Sequence, residues 1–394
     1  MLACTSYGWG QTAPALLPKG PVLISAAADA PPPAKVPPVP TTPQTPQAPA
    51  TPPTVPMDQA NAFPPQEAGA EAPGGGFAPQ MIGDSIGISA AIEPPRGFML
   101  QSSSSQGFGS RVFTNGVLQG PLAVSVSGYK ITDNESPLPQ DRAYLTFNYF
   151  TGVDHSTKSP GAAETRIDRE TFGYEKAFFD GDLSFGVRVP FIQEHFGPST
   201  VFTGTDVSDV GDVTLIAKYA FLRDRDNGST VTGGLALTLP TGPATGLSIA
   251  ATNPVTGAIT TINYNLNTSV IQPFVGYLLN FGDAYVEGFS SLGFFTNDNI
   301  STEWYNDVAV GYHVYRGEGQ VRSVVPTVEL HLTTPFGHQG SDGFPVAQID
   351  TFITTLGLHT VFRNNSVLTA AVEFPLSGPE PFSTELVLQF NYHF

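Results

Sequence analysis

Glu329 and His331 stand two positions apart in Pro326-Thr-Val-Glu-Leu-His331, a run whose other members are mostly apolar. On an extended strand that spacing puts both side chains on one face. The same parity, carried through neighbouring extended runs, collects Glu175, Arg188, Asp212, Lys218, Glu287, Asp307, His313, His359, Glu373 and Glu385 on a common face. With Glu329 and His331 these are seven acids, two bases and three histidines. Carboxylate beside imidazole can hold a divalent cation or titrate near neutral pH. The same groups also build hydrogen-bonded networks that hold a polar interior together. An enclosed face with this balance favours cations and repels anions.

The elements that must carry these residues are strands. From residue 143 onward the chain reads as twelve extended runs: 143–150, 166–179, 182–192, 211–223, 229–239, 266–280, 283–295, 305–315, 322–333, 350–362, 365–375 and 382–394. Most have the nine or more residues that cross a bilayer when tilted. The face opposite the ionisable one is apolar, as in Leu183, Phe185, Val187, Val189 and Phe191, or Val213, Leu215, Ala217, Tyr219 and Phe221. Short connections rich in Gly, Asn and Asp alternate with long ones. Proline sits near the ends of upward runs, as in Val189-Pro190-Phe191 and Phe374-Pro375-Leu376, where its missing N–H need not pair. The last run alternates Leu386, Leu388, Phe390, Tyr392 and the terminal Phe394 with mostly polar residues. This resembles the C-terminal signal of bacterial outer-membrane β-barrels, as expected of a closing strand. A soluble sandwich also alternates, but its outer face is less apolar and its strands are shorter.

The fold class predicted is therefore all-β: a twelve-stranded antiparallel transmembrane β-barrel over 143–394. Twelve strands fall between barrels filled by side chains and wide porins, and so a structural polar network is the reading taken for the Glu/His face. The sharper alternative is a pH-sensitive or metal-binding constriction at Glu329, His331, His359 and Glu373. An even strand count puts both barrel ends on the short-turn side.

Upstream, residues 31–56 are nearly half Pro and read as an extended linker reaching roughly 80 Å at about 3.1 Å per residue. Residues 1–110 are expected to be a disordered Pro/Gly/Ala-rich periplasmic tail, and 111–142 a lead-in or partial plug. Val22-Leu-Ile-Ser-Ala-Ala-Ala28 is a short apolar patch of the kind found in export signals, and Cys4 is read as incidental. The net charge of −17 excludes nucleic acid as a partner, since phosphate binding needs clustered Lys and Arg. One cysteine excludes an intrachain disulfide and a cysteine-built metal site. No apolar run is long enough for a transmembrane helix.

Asp141-Arg-Ala-Tyr-Leu-Thr-Phe-Asn-Tyr-Phe150, Gly211-Asp-Val-Thr-Leu-Ile-Ala-Lys-Tyr219, Gln272-Pro-Phe-Val-Gly-Tyr277 and Pro326-Thr-Val-Glu-Leu-His331 resemble the barrels grouped as "MetA-pathway of phenol degradation" outer-membrane proteins. The resemblance covers roughly residues 120–394. It implies a transport barrel for small, often aromatic, molecules and carries over no catalytic residue.

The function expected is passive passage of small cationic or neutral solutes, aromatic ones included, through a bacterial outer membrane. The alternative is a structural barrel anchoring the envelope through its tail. Lipid hydrolysis is a third reading, weakened because His155 and Ser156 are adjacent rather than two apart, and His331-Leu-Thr333 offers an inward His and a Thr. Asp206, Asp209 and Asp212 recur every three residues but match no calcium-loop pattern. No catalytic residue, metal or cofactor is expected. The partners are membrane lipid, the outer-membrane assembly machinery, small solutes and, through the tail, the cell wall.

Overall fold

The computed structural model describes residues 79–84, 130–153, 165–196, 205–243, 246–253, 255–265, 267–297, 300, 302–336, 350–377 and 381–394, and the backbone of the short strands at 89–92, 99–100, 112–114 and 117–121. Cys4, the 31–56 linker, the 22–28 patch and the His155-Ser156 pair lie outside them.

Twelve of the described strands close into an antiparallel ring. They are β1 (Arg142–Thr151), β2 (Thr165–Phe178), β3 (Leu183–Phe196), β4 (Val213–Arg223), β5 (Thr230–Leu239), β6 (Val270–Phe281), β7 (Ala284–Phe295), β8 (Glu303–Tyr312), β9 (Val321–Pro335), β10 (Thr351–Phe362), β11 (Ser366–Ser377) and β12 (Thr384–His393). Each pairs with its neighbours in sequence. The ring shuts where β12 pairs with β1, from Thr384↔Thr151 to His393↔Arg142. All twelve predicted runs are present, with ends moved by a few residues.

Period-two patterning decides which way every side chain points. In β12, Leu386, Leu388, Phe390 and Tyr392 face outward and are exposed, while Glu385, Val387, Gln389 and Asn391 are buried inside. Phe172, Phe185, Leu215, Tyr219, Val275, Leu330 and Leu356 extend the apolar band around the ring. A continuous apolar belt of this kind is not stable against water and matches the lipid face of an outer-membrane barrel.

Two features go beyond the predicted strands. The 240–265 connection contains a hairpin, Gly246–Thr252 with Ile259–Asn265. A strand at Thr205–Val210 pairs with Phe191–Phe196, extending β3 past its pairing with β4. Pro190 is thus not a strand terminus but lies at the break between those two pairings, where a missing N–H leaves no gap.

The interior is occupied. Residues 79–84 and 130–138 run side by side through the ring, joined by Met81 N–H donating to the Glu135 carbonyl at 3.0 Å and Asn134 N–H to the Ile82 carbonyl at 3.2 Å. Residues 79–84 belong to the stretch expected to be disordered tail. Their order follows from burial inside the barrel rather than from any periodicity of their own. The inner face is also less uniformly polar than expected. Met81 and Ile131 of the inserted segments pack with Ile216, Phe274 and Phe289 of the wall. Near the long-loop end, Phe150, Ile167, Ile192, Tyr305, Ile353 and Phe382 form a second apolar cluster. Gly357 of β10 makes room for this filling: a Cβ there would lie 2.1 Å from Ile82 Cδ1.

Candidate functional site

The site is the contact between the inserted segments and the inner wall. Every predicted lumen residue, Glu175, Arg188, Asp212, Lys218, Glu287, Asp307, His313, Glu329, His331, His359, Glu373 and Glu385, is buried. They do not form one acidic lining. The wall is split by charge around the ring, and two bases absent from the predicted set, Arg142 and Arg169, complete the basic side. Their inward position follows from sequence parity: Arg169 is six residues from Glu175, and Arg142 two from Tyr144.

On the basic side, β1 to β4 contribute Arg142, Arg169, Arg188 and Lys218. Their counter-charges come from the inserted segment as much as from the wall. Glu135 is bound by Arg142 at 2.7 Å, Arg188 at 2.9 Å and Lys218 at 2.7 Å. Burial alone raises the Glu135 pKa, but Lys218, Arg142 and Arg188 outweigh it and hold the carboxyl at about 2. Asp133 pairs with Arg169 at 2.9 Å. Glu175 bridges Arg142 and Lys218 and accepts from Ser184. The same cations bind main-chain carbonyls: Arg188 donates to those of Lys130 and Ile131, and Lys218 to that of Ser136.

On the acidic side, β7 to β12 contribute Glu287, Glu303, Asp307, Glu329, Glu373 and Glu385. Glu329 accepts from the N–H groups of Ile82 at 2.8 Å and Gly83 at 3.0 Å. Lys130 of the inserted segment sits between Asp84 at 2.8 Å and Asp307 at 3.2 Å. Burial lowers the Lys130 pKa, and the two carboxylates more than reverse that. His331 contacts Asp307 at 3.0 Å and Thr355 at 3.1 Å, so its ring is fixed from both nitrogens.

Asp84, Asp307 and His331 bring ligand atoms close enough together to hold a divalent ion. Lys130 already supplies the positive charge there, which is the chemistry of an ion-paired network rather than of a metal centre. The grouping of Glu329, His331, His359 and Glu373 therefore divides. His359 bonds Thr369 at 2.8 Å and lies one strand over, separate from the Glu329–His331 contact. His313 sits at the short-turn end beyond β8, bonded to Ser323 at 2.7 Å. Its burial pushes its pKa down to about 4, with Arg316 adding to the effect. Asp206, Asp209 and Asp212 do not converge: Asp206 bonds His195, Asp209 caps the Val210 N–H, and Asp212 accepts from the Gly242 N–H.

Two acids on the acidic side find no basic or main-chain donor among the described residues. Neither oxygen of Glu287 is hydrogen-bonded, and Glu373 lies against its register partner Glu385, which also accepts from Asn148 at 2.7 Å. Sequence parity places these groups inside but cannot say which acids the inserted segments neutralise.

No family model matches this sequence, and no curated protein matches it. Among solved structures the chain is similar to an outer membrane channel from Pseudomonas putida F1 (15% identity over 66% of this chain and 97% of that one, TM-score 0.47). It is similar also to the β-domain of the Bordetella autotransporter BrkA (14%, 64% and 99%, TM-score 0.43) and to a deletion mutant of the TodX monoaromatic hydrocarbon channel (10%, 69% and 97%, TM-score 0.38). At these levels the likeness says nothing of what occupies or crosses the lumen.

Proposed function

We propose that the protein is a gated passage for small cationic or neutral solutes across a bacterial outer membrane, shut in this state by residues 79–84 and 130–138. The observation that carries the reading is the pair of buried acids that neither a basic side chain nor the inserted segments answer, Glu287 and Glu373, on the β7–β12 side of the lumen. Charge on a carboxyl sealed in a dry interior without a counter-charge is costly. It is tolerated where water or a passing cation reaches it. The closing segments are held mainly by ion pairs and hydrogen bonds, which exchange with water more readily than an apolar core. Gln80, where the inserted segment begins, is beside His393 at the short-turn end, which supports a Pro-rich tail on the periplasmic side.

The second reading is a structural barrel with its lumen permanently filled, anchoring the envelope through the tail. Full burial of Arg142, Arg188 and Lys218 favours it. Planar-bilayer conductance of the intact chain and of E135Q separates the two. The passage reading expects rare openings in the intact chain and frequent cation-selective steps in E135Q. Silence of E135Q while its segment 130–138 exchanges freely with deuterium would leave the structural barrel.

A further inference from the structure

We infer that the chain threads its own barrel, entering at the end where the two barrel termini lie and presenting the short strands Ser89–Ile92, Met99–Leu100, Val112–Thr114 and Val117–Pro121 at the opposite mouth, with Met99–Leu100 docked on the hairpin of the 240–265 connection. This goes beyond gating: it assigns the barrel a display function for a segment of its own chain.

Both ends of the path are fixed by contacts. At the entry, Gln80 Nε2 is 3.2 Å from His393 Nε2 and 3.1 Å from Gln140 Oε1. His393 is the last residue of β12, on the short-turn end. Moving inward, the ascending leg reaches Asp84 and the descending leg begins at Lys130, where the two are ion-paired halfway up the wall beside Asp307. Asp307 is central in β8. Within the intervening chain, Met99–Leu100 is paired with Thr252 and Ala251. Thr252 adjoins the tip of the hairpin that links β5 to β6 at the long-loop end, and Val255 in that tip is 91% exposed. The chain has therefore passed from one end of the barrel to beyond the other.

The lengths permit it. Fifteen residues from Asp84 to Met99 span up to about 50 Å, and nine from Pro121 to Lys130 up to about 30 Å. The apolar band is about 25 Å tall, and both legs start from its middle. Between them, Ser89–Ile92, Val112–Thr114 and Val117–Pro121 form a three-stranded antiparallel sheet, from Ser89↔Pro121 to Thr114↔Val117. The stretch thus has backbone structure of its own.

The wall is suited to holding a threaded polypeptide because it binds main-chain groups of both kinds. Glu329 takes the N–H groups of Ile82 and Gly83, and Gln389 donates to the Ile82 carbonyl. Arg188, Lys218 and Thr232 take carbonyls of Lys130, Ile131, Ser136 and Pro137. Inside the lumen, where a backbone group left unpaired is costly, these side chains supply partners beyond the few hydrogen bonds the inserted segments make with each other and within the turn at 130–135.

Labelling by a membrane-impermeant maleimide in whole cells tests the inference, using single-cysteine variants in a C4S background. V255C reports the hairpin tip and D226C the short turn between β4 and β5. Threading requires T114C to partition with V255C, labelled in intact cells, while D226C labels only after the outer membrane is permeabilised. T114C partitioning with D226C, or labelling only in denaturant, overturns it. The register partners in L100C/A251C should also form an intramolecular disulfide; a reduced pair under oxidising conditions overturns the docking on the hairpin. Neither readout depends on conductance, so threading stands or falls separately from the passage reading.

Discussion

The side-chain amide of Gln80 lies 3.2 Å from Nε2 of His393, although 313 positions separate them in the chain. Donation by the amide requires His393 to carry its proton on Nδ1. The contact joins the start of the inserted segment to the end of the closing strand. Asn391, one inward position further up β12, donates to Asn134 of the returning leg and accepts from Arg142 of β1. The seam that shuts the barrel is thus bound to the segment that fills it, and closure and filling are coupled.

Glu135 is the residue whose loss should loosen the filling most. It answers three buried cations, and E135Q leaves Arg142, Arg188 and Lys218 short of a counter-charge. Removing one member of a buried charge network costs about 3–5 kcal/mol. The expected outcome is a lower unfolding temperature in detergent and faster deuterium exchange across 130–138, with the barrel strands protected.

Acidity should act in two separate windows. Glu135 is held at about 2, below its usual value of 4.5, so its stabilisation is complete above 4.5 and lost as pH falls towards 2. Arg142, Arg188 and Lys218 face it, with Glu175 beside them. Lys130 is raised, so its contribution is complete below 10.5 and lost only above that. The ion pairs of segment 130–138 should therefore hold from about pH 5 to pH 10. His313 titrates earlier. Its pKa of about 4 lies below 6.5, so the neutral ring stabilises the fold above 6.5 and that contribution fades between 6.5 and 4. Arg316 and Asp283 are the charges that face it. Exchange at residues 313–316 should rise between pH 6.5 and 4.5 while that at 130–138 does not, and H313N should remove this first phase.

The barrel was legible because outward and inward residues alternate over long runs, and one apolar face fixes the register of each. The inner faces followed from the same parity. The filling was not legible. Pro79-Gln-Met-Ile-Gly-Asp84 has no period and sits in Gly- and Pro-rich surroundings, so nothing local marks it as ordered. Its conformation comes from Glu329, Gln389 and Lys130, which are remote in sequence. The split of charge around the ring was missed for a related reason. Arg142 fell one residue outside the first predicted run, and Arg169 was left off the inward face of its strand.

Gly357 is where the wall yields to the filling. A β-carbon there would overlap Ile82, so G357V should eject the ascending leg without breaking the β10–β11 ladder. The expected outcome is loss of protection at residues 80–84 and more frequent openings in bilayers. Unchanged protection would mean that Ile82 repacks within the lumen.

Glu373 and Glu329 should behave differently on neutralisation. Glu373 faces Glu385 across the β11–β12 register and holds no group of the inserted segment, so E373Q should lower cation preference by a few-fold and leave the filling in place. Glu329 binds two N–H groups of the inserted segment, so E329Q should raise open probability as well. Measured reversal potentials and open probabilities test both, and equal behaviour of the two variants would contradict the division of roles.

Phe394 closes the chain on the lipid face, stacked on Tyr174 of β2 with ring centroids 5.8 Å apart and with Lys176 Nζ 5.7 Å from its own centroid. Its N–H donates to the Asp141 carbonyl at 3.2 Å, just below the seam. None of these contacts reaches the lumen, where Arg142 and Asn391 hold the inner side of the same seam. A polar residue at 394 therefore removes an outward aromatic contact across the closing strands while leaving the inner wall and its filling intact. F394S should lower the amount of heat-resistant, folded barrel recovered from membranes several-fold. The fraction that does fold should keep the protection of residues 130–138 and the conductance of the parent chain. An F394S protein that assembled normally but conducted differently would place this residue in the passage rather than at the seam.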